Sequence, residues 1–149
     1  GAALRIDSAK LEEAKVTSPV LRDLLNRFAD ALLAQVLQSV ACNALHAVDA
    51  RACRWLLAIQ DRTGTDSLPI TQEHLAELLG VQRTTVTRVI ADLAAAGALE
   101  TRRGRILIAS RARLQAAACE CQDAVRRHFA CVAPGLYPPV PRNKVPAGA

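Results

Sequence analysis

The stretch TQEHLAELLGVQRTTVTRVIADLAAAGALETRRGRILI, residues 71–108, determines the fold that the sequence predicts. Thr71 is a good N-cap for a short helix, and Gly80 suits the left-handed position that ends it. A second helix begins at Gln82 or Arg83 and ends at Gly97. Two short helices joined this closely cross steeply and leave one side of the second helix exposed.

A β-hairpin is predicted directly after these helices. Residues 98–102 and 105–108 flank Arg103-Gly104, and Gly suits the turn. Each of the two short helices has an apolar face that can pack inward. We therefore predict a mainly α fold, a winged helix-turn-helix with a three-helix core and a β-hairpin wing, preceded by a long dimerisation helix.

Composition agrees with packed helices. The chain has 149 residues, of which 51% are hydrophobic, 22% charged and only 3% aromatic, so Leu, Val, Ile and Ala must build the core. No run of 18 apolar residues occurs, and the N-terminus does not resemble a signal peptide. We expect neither a transmembrane helix nor secretion, and place the protein in the cytoplasm.

Positive charge is concentrated in one part of the chain. The formal net charge is +5, and residues 83–113, with seven Arg and two acids, account for all of it. The planar guanidinium of Arg matches phosphates and guanine edges. The segment therefore favours a surface for a polyanion, with an ordinary solvated charged face as the alternative.

A long helix precedes the core, opened by Ser18 and Pro19 and reaching about Ala44. It carries an unbroken heptad seam that turns polar at Ser39 and Cys42. We assign this seam to the interface with a second copy of the chain, and a second stripe to contact with the helix's own domain; the alternative is a helix buried in one core. The seam consists of Leu21, Leu25, Phe28, Leu32 and Gln35, and the second stripe of Leu33, Leu37, Val40 and Ala44.

The remaining segments divide as follows. Residues 3–6 could form a strand and residues 8–15 a helical turn. Residues 50–61 are predicted as a helix with Asp49 as N-cap, residues 62–69 as a loop, and residues 110–129 as one helix capped by Ser110. The domain boundaries are then 1–17 for a linker, 18–46 for the dimerisation helix, 47–131 for the winged domain and 132–149 for a proline-rich tail.

The exposed side of the second short helix has the chemistry of a DNA-reading helix. Its N-terminal part carries hydrogen-bonding side chains of the kinds that meet base edges and phosphates, and the wing tip is basic. We predict binding to double-stranded DNA; the alternative is a winged helix that binds only a protein partner. The side chains are Gln82, Arg83, Thr84, Thr85, Thr87 and Arg88 on the helix, and Arg102, Arg103 and Arg105 on the wing.

Residues 71–88, TQEHLAELLGVQRTTVTR, resemble the helix-turn-helix signature of the CRP/FNR family of bacterial regulators. The family pattern is Q-x-x-[IL]-A-x-x-[LV]-G-x-x-R-x-[ST]-V-[ST]-R, and Arg83, Thr85, Val86 and Arg88 occupy its expected places. The resemblance covers roughly residues 1–130 and is most specific between 68 and 109. Many members have Glu where this chain has Thr84.

The resemblance implies a transcription regulator that binds an inverted-repeat operator as a homodimer and can contact RNA polymerase. Base contacts are expected from Arg83, Thr84 and Arg88. Full-length members carry an N-terminal β-roll sensor domain that can bind a small effector such as a cyclic nucleotide; residues 1–17 resemble its exit segment. No cofactor is expected in this chain. Backbone contacts are assigned to Thr71, Gln72, Gln82, Thr85, Thr87, Arg102, Arg103 and Arg105.

The five cysteines are predicted as reduced, mostly buried thiols. Cys119, Cys121, His128 and Cys131 could suggest a metal site, but on one continuous helix Cys119 points nearly opposite Cys121. We therefore expect no metal. An enzyme is not indicated either, because the three His are scattered and neither a Gly-rich phosphate loop nor a pair of acids at a useful spacing occurs.

Overall fold

The computed structural model describes residues 3–102 and 104–135, and over these ranges the chain folds into seven helices and three strands. The mainly α winged helix-turn-helix predicted from the sequence is confirmed. The elements are α1 (Ser8–Thr17), α2 (Pro19–Leu45), α3 (Val48–Thr63), β1 (Ser67–Leu68), α4 (Gln72–Leu79), α5 (Arg83–Ala95), β2 (Leu99–Arg102), β3 (Arg105–Ile108), α6 (Arg111–Ala117) and α7 (Cys121–Val132).

The main core lies between α3, α4, α5, α6 and a small antiparallel sheet of order β1-β3-β2. The helices α4 and α5 of this core begin and end where the sequence predicts. The Thr71 hydroxyl accepts a hydrogen bond from the His74 N–H at 3.2 Å, and Gly80 ends α4 with a φ of +65°. Gly97 turns the chain into β2 with a φ of +68°. Local capping thus fixes the turn between α4 and α5.

Two predictions at the edges of the core were wrong, and a segment left open as a strand is not one. Ser67 and Leu68 do not belong to a loop; they form β1 opposite Leu107 and Ile106 of β3. Leu68 is fully buried there, and a pair of residues is too short to show an alternating pattern. Helix α3 begins at Val48, with Asp49 in its first turn rather than at the N-cap. Residues 3–7 form no strand.

The predicted single helix over residues 110–129 is two helices. Ala118 is extended, with a ψ of 154°, and α7 begins three residues later. The two helices have different partners, because α6 packs on α3 whereas α7 packs mainly on α2. Leu114 therefore belongs to the main core, while Val125 and Phe129 form a second cluster with Ala31. One straight helix could not reach both sites.

Helix α2 begins and ends as predicted, with the Ser18 hydroxyl as its N-cap, but the second stripe is not the side that contacts the domain. The side toward α7 carries Ala31, Gln35 and Cys42. The C-terminal half of the heptad seam therefore contacts the chain's own domain. Small Ala31 gives Phe129 room to pack. The second stripe faces away from α7: Leu37 and Val40 are 60% and 62% exposed. Its assignment to the domain core was wrong.

By length and composition, α2 is also the one described helix that could cross a membrane. A window of 18 residues has a mean hydropathy of 1.3, and 11% of it is buried. The criterion of 18 consecutive apolar residues did not detect α2, because Gln35, Gln38 and Ser39 interrupt its apolar sequence. A long interface helix passes the same test, and α2 packs on α7 along one side.

A buried ionic contact connects α3 with both helices of the C-terminal pair. Asp61 of α3 is 1% exposed, and its carboxylate lies 2.8 Å from the Arg111 guanidinium of α6 and 3.7 Å from that of Arg126 in α7. Gln122 donates a hydrogen bond to the same carboxylate at 3.1 Å, and Arg111 also donates to Gln60. One carboxylate therefore holds three elements together.

We expect Asp61→Ala to lower the free energy of unfolding by about 3–5 kcal/mol, because it leaves the buried Arg111 cation without its counter-charge. Urea denaturation followed by circular dichroism measures this loss. Asp23→Ala is the matched control, since Asp23 pairs with Arg27 on the surface of α2 and should cost about 0.5 kcal/mol or less. Equal losses for both variants would contradict the role of Asp61.

Candidate nucleic-acid interface

One face of helix α5 packs in the main core, and the other face is exposed to solvent. Val86, Val89 and Ile90 are buried in the main core. On the opposite side Thr84 and Arg88 are exposed, as are Gln82, Arg83 and Thr87, whereas Thr85 is half-buried. The side chains that the sequence assigned to base and phosphate contacts are thus presented together around the first two turns of α5.

The first turn of α4 is hydrogen-bonded to this face. The Thr87 hydroxyl donates to Gln72 Oε1 at 2.8 Å and to the Arg83 carbonyl at 3.1 Å as alternative acceptors. Gln72 directly follows the N-cap residue Thr71. The contact fixes the distance between the beginning of α4 and the exposed face of α5, so the two can act as one surface.

Arg88 is held by two carboxylates. Its guanidinium lies 3.1 Å from Asp92, one turn further along α5, and 3.5 Å from Asp49 at the start of α3. All three side chains are more than half exposed. The pairs hold Arg88 at the surface, where an incoming acceptor would have to compete with these two acids. The Asp49 contact spans 39 residues of sequence, so helical spacing could not have revealed it.

A groove of about 390 Å³ separates the helix pair from the wing. Its cationic lining comes from Arg83 at the start of α5 and from Arg102 and Arg105 of the hairpin; Glu73 is the acidic residue among the described lining. Thr71 and Gln72 contribute polar groups. Arg103, assigned to the same surface from the sequence, lies outside the described residues. Arg side chains remain charged at neutral pH, so the described lining of the groove carries a net positive charge.

The C-terminal side chains considered as a metal set do not come together. Cys131 is exposed, and His128 Nε2 lies 3.2 Å from Asp30 of α2. Cys119 and Cys121 are buried beside Cys42 instead. Burial raises the pKa of the Cys42 thiol to about 12 and that of the Cys53 thiol to about 11. These two residues are therefore neutral thiols in the metal-free chain.

A family model for Crp-like helix-turn-helix domains matches residues 50–117, which extend from α3 to the end of α6. The chain is similar in fold to a putative transcriptional regulator of the CRP/FNR family from Eubacterium rectale ATCC 33656, with 24% identity over 74% of this chain and 50% of the other, and a TM-score of 0.57.

A CRP-family transcriptional regulator from Thermus thermophilus is also similar, with 21% identity over 76% of this chain and 55% of the other, and a TM-score of 0.55. The chain thus spans about half the length of each of these solved structures. No curated protein sequence matches. The family match and the two structures agree with the winged helix-turn-helix fold. Residues 50–117 therefore match the model of a Crp-like helix-turn-helix domain, and the chain has the winged helix-turn-helix fold.

Proposed function

We propose that this chain is the DNA-binding part of a transcription regulator. The observation that carries the proposal is the cationic and polar groove between the start of α4, the start of α5 and the wing, together with the exposed face of α5 beside it. A protruding helix of this kind fits the major groove, and a basic hairpin beside it reaches the neighbouring phosphates. In full-length members of the family, small effectors bind to the sensor domain. The proposed regulator acts in the cytoplasm, where the DNA that it would bind is located.

In this proposal the helix reads bases and its surroundings hold the backbone. Arg83, Thr84 and Arg88 are assigned to the base edges, since all three are exposed within the first two turns of α5. Arg can pair with guanine O6 and N7. Because Thr replaces the Glu of many relatives at position 84, the half-site should differ from theirs. The backbone contacts come from Thr71, Gln72, Gln82, Thr85, Thr87, Arg102, Arg103 and Arg105.

The proposed regulator is a homodimer that pairs through α2. The exposed stripe of α2 includes Leu33, Val36, Leu37 and Val40, more than half exposed each, and Leu25 and Leu32 lie at its edge. A contiguous apolar surface of this kind needs a partner. A second copy related by a two-fold axis would place two α5 helices in successive major grooves about 34 Å apart, on an inverted repeat.

RNA polymerase is a further partner of the proposed regulator. The competing function is a protein-interaction module that uses the same wing and binds no specific DNA. Binding-site selection from random DNA, followed by a salt titration with the selected site, separates the two. A DNA-binding protein gives an enriched inverted repeat and an affinity that falls steeply with salt. Failure to enrich any sequence would overturn the proposed function.

Arg88→Ala should lose about 1–3 kcal/mol of specific binding free energy and relax one position of the half-site, because a bidentate base contact disappears. Fluorescence anisotropy with the selected site, its single-base variants and random DNA measures the effect. Arg27→Ala, which removes a charge from the surface of α2, is the control. An equal loss on random DNA would make Arg88 a phosphate contact.

Replacing Arg102, Arg103 and Arg105 together by Ala should weaken specific and non-specific binding alike. The slope of log K against log salt should flatten by up to about three units, since as many phosphate contacts are lost. The triple variant Arg5→Ala, Arg22→Ala and Arg27→Ala removes the same charge far along the sequence from the groove. If both triple variants lower the slope equally, the wing has no specific contact with the backbone.

Leu37→Glu should convert the dimer into a monomer that retains its helical content, because Leu37 faces away from α7 and burying an unpaired carboxylate at the interface is costly. DNA affinity should fall sharply, since one half-site supplies only part of the contacts. Light scattering and circular dichroism measure both effects. Val16→Glu changes an even more exposed apolar residue, in α1, and should leave the dimer intact. A dimer that survives Leu37→Glu would rule out this stripe as the interface.

A further inference from the structure

We propose that Cys42, His46, Cys119 and Cys121 bind a single zinc ion that fastens the C-terminal end of α2 to the junction between α6 and α7. No zinc site was expected from the sequence. The four side chains come from two segments more than 70 residues apart. They meet where α2 ends, and none of them is among the described residues that line the groove.

The geometry of the four ligand atoms fits one tetrahedral ion. All four lie within 4.8 Å of one another. The Sγ atoms of Cys42 and Cys119 are 3.6 Å apart, and Cys121 Sγ lies 3.5 Å from His46 Nδ1. With Zn–S near 2.3 Å and Zn–N near 2.0 Å, a regular tetrahedron separates two sulfurs by about 3.8 Å and a sulfur from a nitrogen by about 3.5 Å. The observed contacts are thus close to those of a loaded site.

Local structure explains how these residues meet. Cys42 and His46 are four residues apart at the end of α2 and therefore lie on the same side of the helix. Cys119 and Cys121 would point in nearly opposite directions on a continuous helix. The extended conformation of Ala118 interrupts the helix directly before them, and both thiols turn toward α2. The break that separates α6 from α7 is thus also what completes the site.

Neighbouring groups orient the ligands as they do around structural metal ions. His46 Nε2 lies 3.3 Å from the Glu120 carboxylate, which favours a proton on Nε2 and leaves Nδ1 free to bind a cation. Gln38 Nε2 donates to Cys121 Sγ at 3.1 Å. Such a hydrogen bond suits a thiolate that already ligates a metal. Glu120 lies between the two C-terminal ligands, so one short segment supplies both sulfurs and the partner of the imidazole.

A buried cation balances the charge of this site. Zinc with three thiolates and a neutral imidazole carries one negative charge, and binding releases the three thiol protons to solvent. Arg54 of α3 is buried, its Nε and Nη2 have no hydrogen-bond partner among the described residues, and its positive charge acts on Cys42. Arg54 thus supplies the compensating charge that a buried thiolate set requires.

The ligand set selects zinc with a structural role. Three sulfurs and one imidazole in tetrahedral arrangement are a usual zinc combination, and a site whose four positions are all filled by protein holds its ion without an open position for substrate. The three cysteines are buried and His46 is half-buried. The ligand atoms lie too close together to surround an iron–sulfur cluster with several irons, so the site is mononuclear.

Cobalt(II) substitution tests the proposal on the full chain. Reduced, metal-free protein titrated with Co²⁺ under anaerobic conditions should show sulfur-to-cobalt charge transfer and intense tetrahedral d–d bands that saturate at one equivalent. One equivalent of Zn²⁺ should then abolish them. Elemental analysis of protein purified without chelator should give one zinc per chain.

Variants locate the ion. Cys42→Ser should abolish the charge-transfer bands, while Cys53→Ser and Cys131→Ser, which change a buried and an exposed cysteine outside the cluster, should leave them unchanged. Glu120→Gln, at an exposed position, should keep the spectrum and lower zinc affinity about 10–100-fold. This last variant gives a result even if Cys42→Ser does not fold.

Three results would overturn the proposal. The first is reduced wild-type protein that takes up no cobalt with tetrahedral bands. The second is a disulfide between Cys42 and Cys119 in protein purified without oxidant. The third is a spectrum that survives Cys42→Ser in folded protein, which would place any metal elsewhere. All three results are independent of DNA binding, so the zinc site and the proposed function succeed or fail separately.

Discussion

The contact between Asp61 and Arg111 is the constraint on which the arrangement of the other elements depends. It buries a full positive and a full negative charge, and such a pair is stable only if the elements that carry it keep their positions. Helix α3 supplies the acid, and apolar residues of the same helix lie in the main core with α4 and α5. Helix α6 directly follows the wing, and the contact holds α6 against α3. The contact therefore positions the wing beside α5 and directs the segment after α6 toward α2.

The winged core could be predicted from the sequence because its decisive signals are local. Thr71, Gly80 and Gly97 fix helix ends through their own backbone and side-chain geometry, within a few residues. The errors concern elements whose shape is decided by distant partners. The break at Ala118 exists because α6 and α7 pack on different helices, and the orientation of α2 depends on which of its two apolar stripes receives Phe129. Periodicity finds both stripes but cannot choose between them.

The candidate sites show the same difference between features set by local sequence and features set by distant partners. The exposed face of α5 was predicted residue by residue, since the buried Val86, Val89 and Ile90 leave the other side outward. The contact between Arg88 and Asp49 was not predicted, because Asp49 belongs to a different helix, α3. In the cysteine cluster, the spacing of Cys42 and His46 was a usable signal, whereas the assumption of one continuous helix removed Cys119 from consideration. A single wrong element boundary thus hid a set of four side chains that the folded chain gathers within 4.8 Å.

Helix α2 connects the two proposals, because its two sides are engaged separately. The side with Ala31 and Cys42 is bound to α7 and to the cysteine cluster, while Leu33, Leu37 and Val40 face outward. A second copy can therefore pair with α2 without displacing α7. From Cys119 the chain leads back through α6 to β3, with two residues between these elements. In the proposed dimer, the angle between the interface and the DNA-reading surface is thus set by the contacts at residues 118–121, and an ion bound there would make that angle rigid.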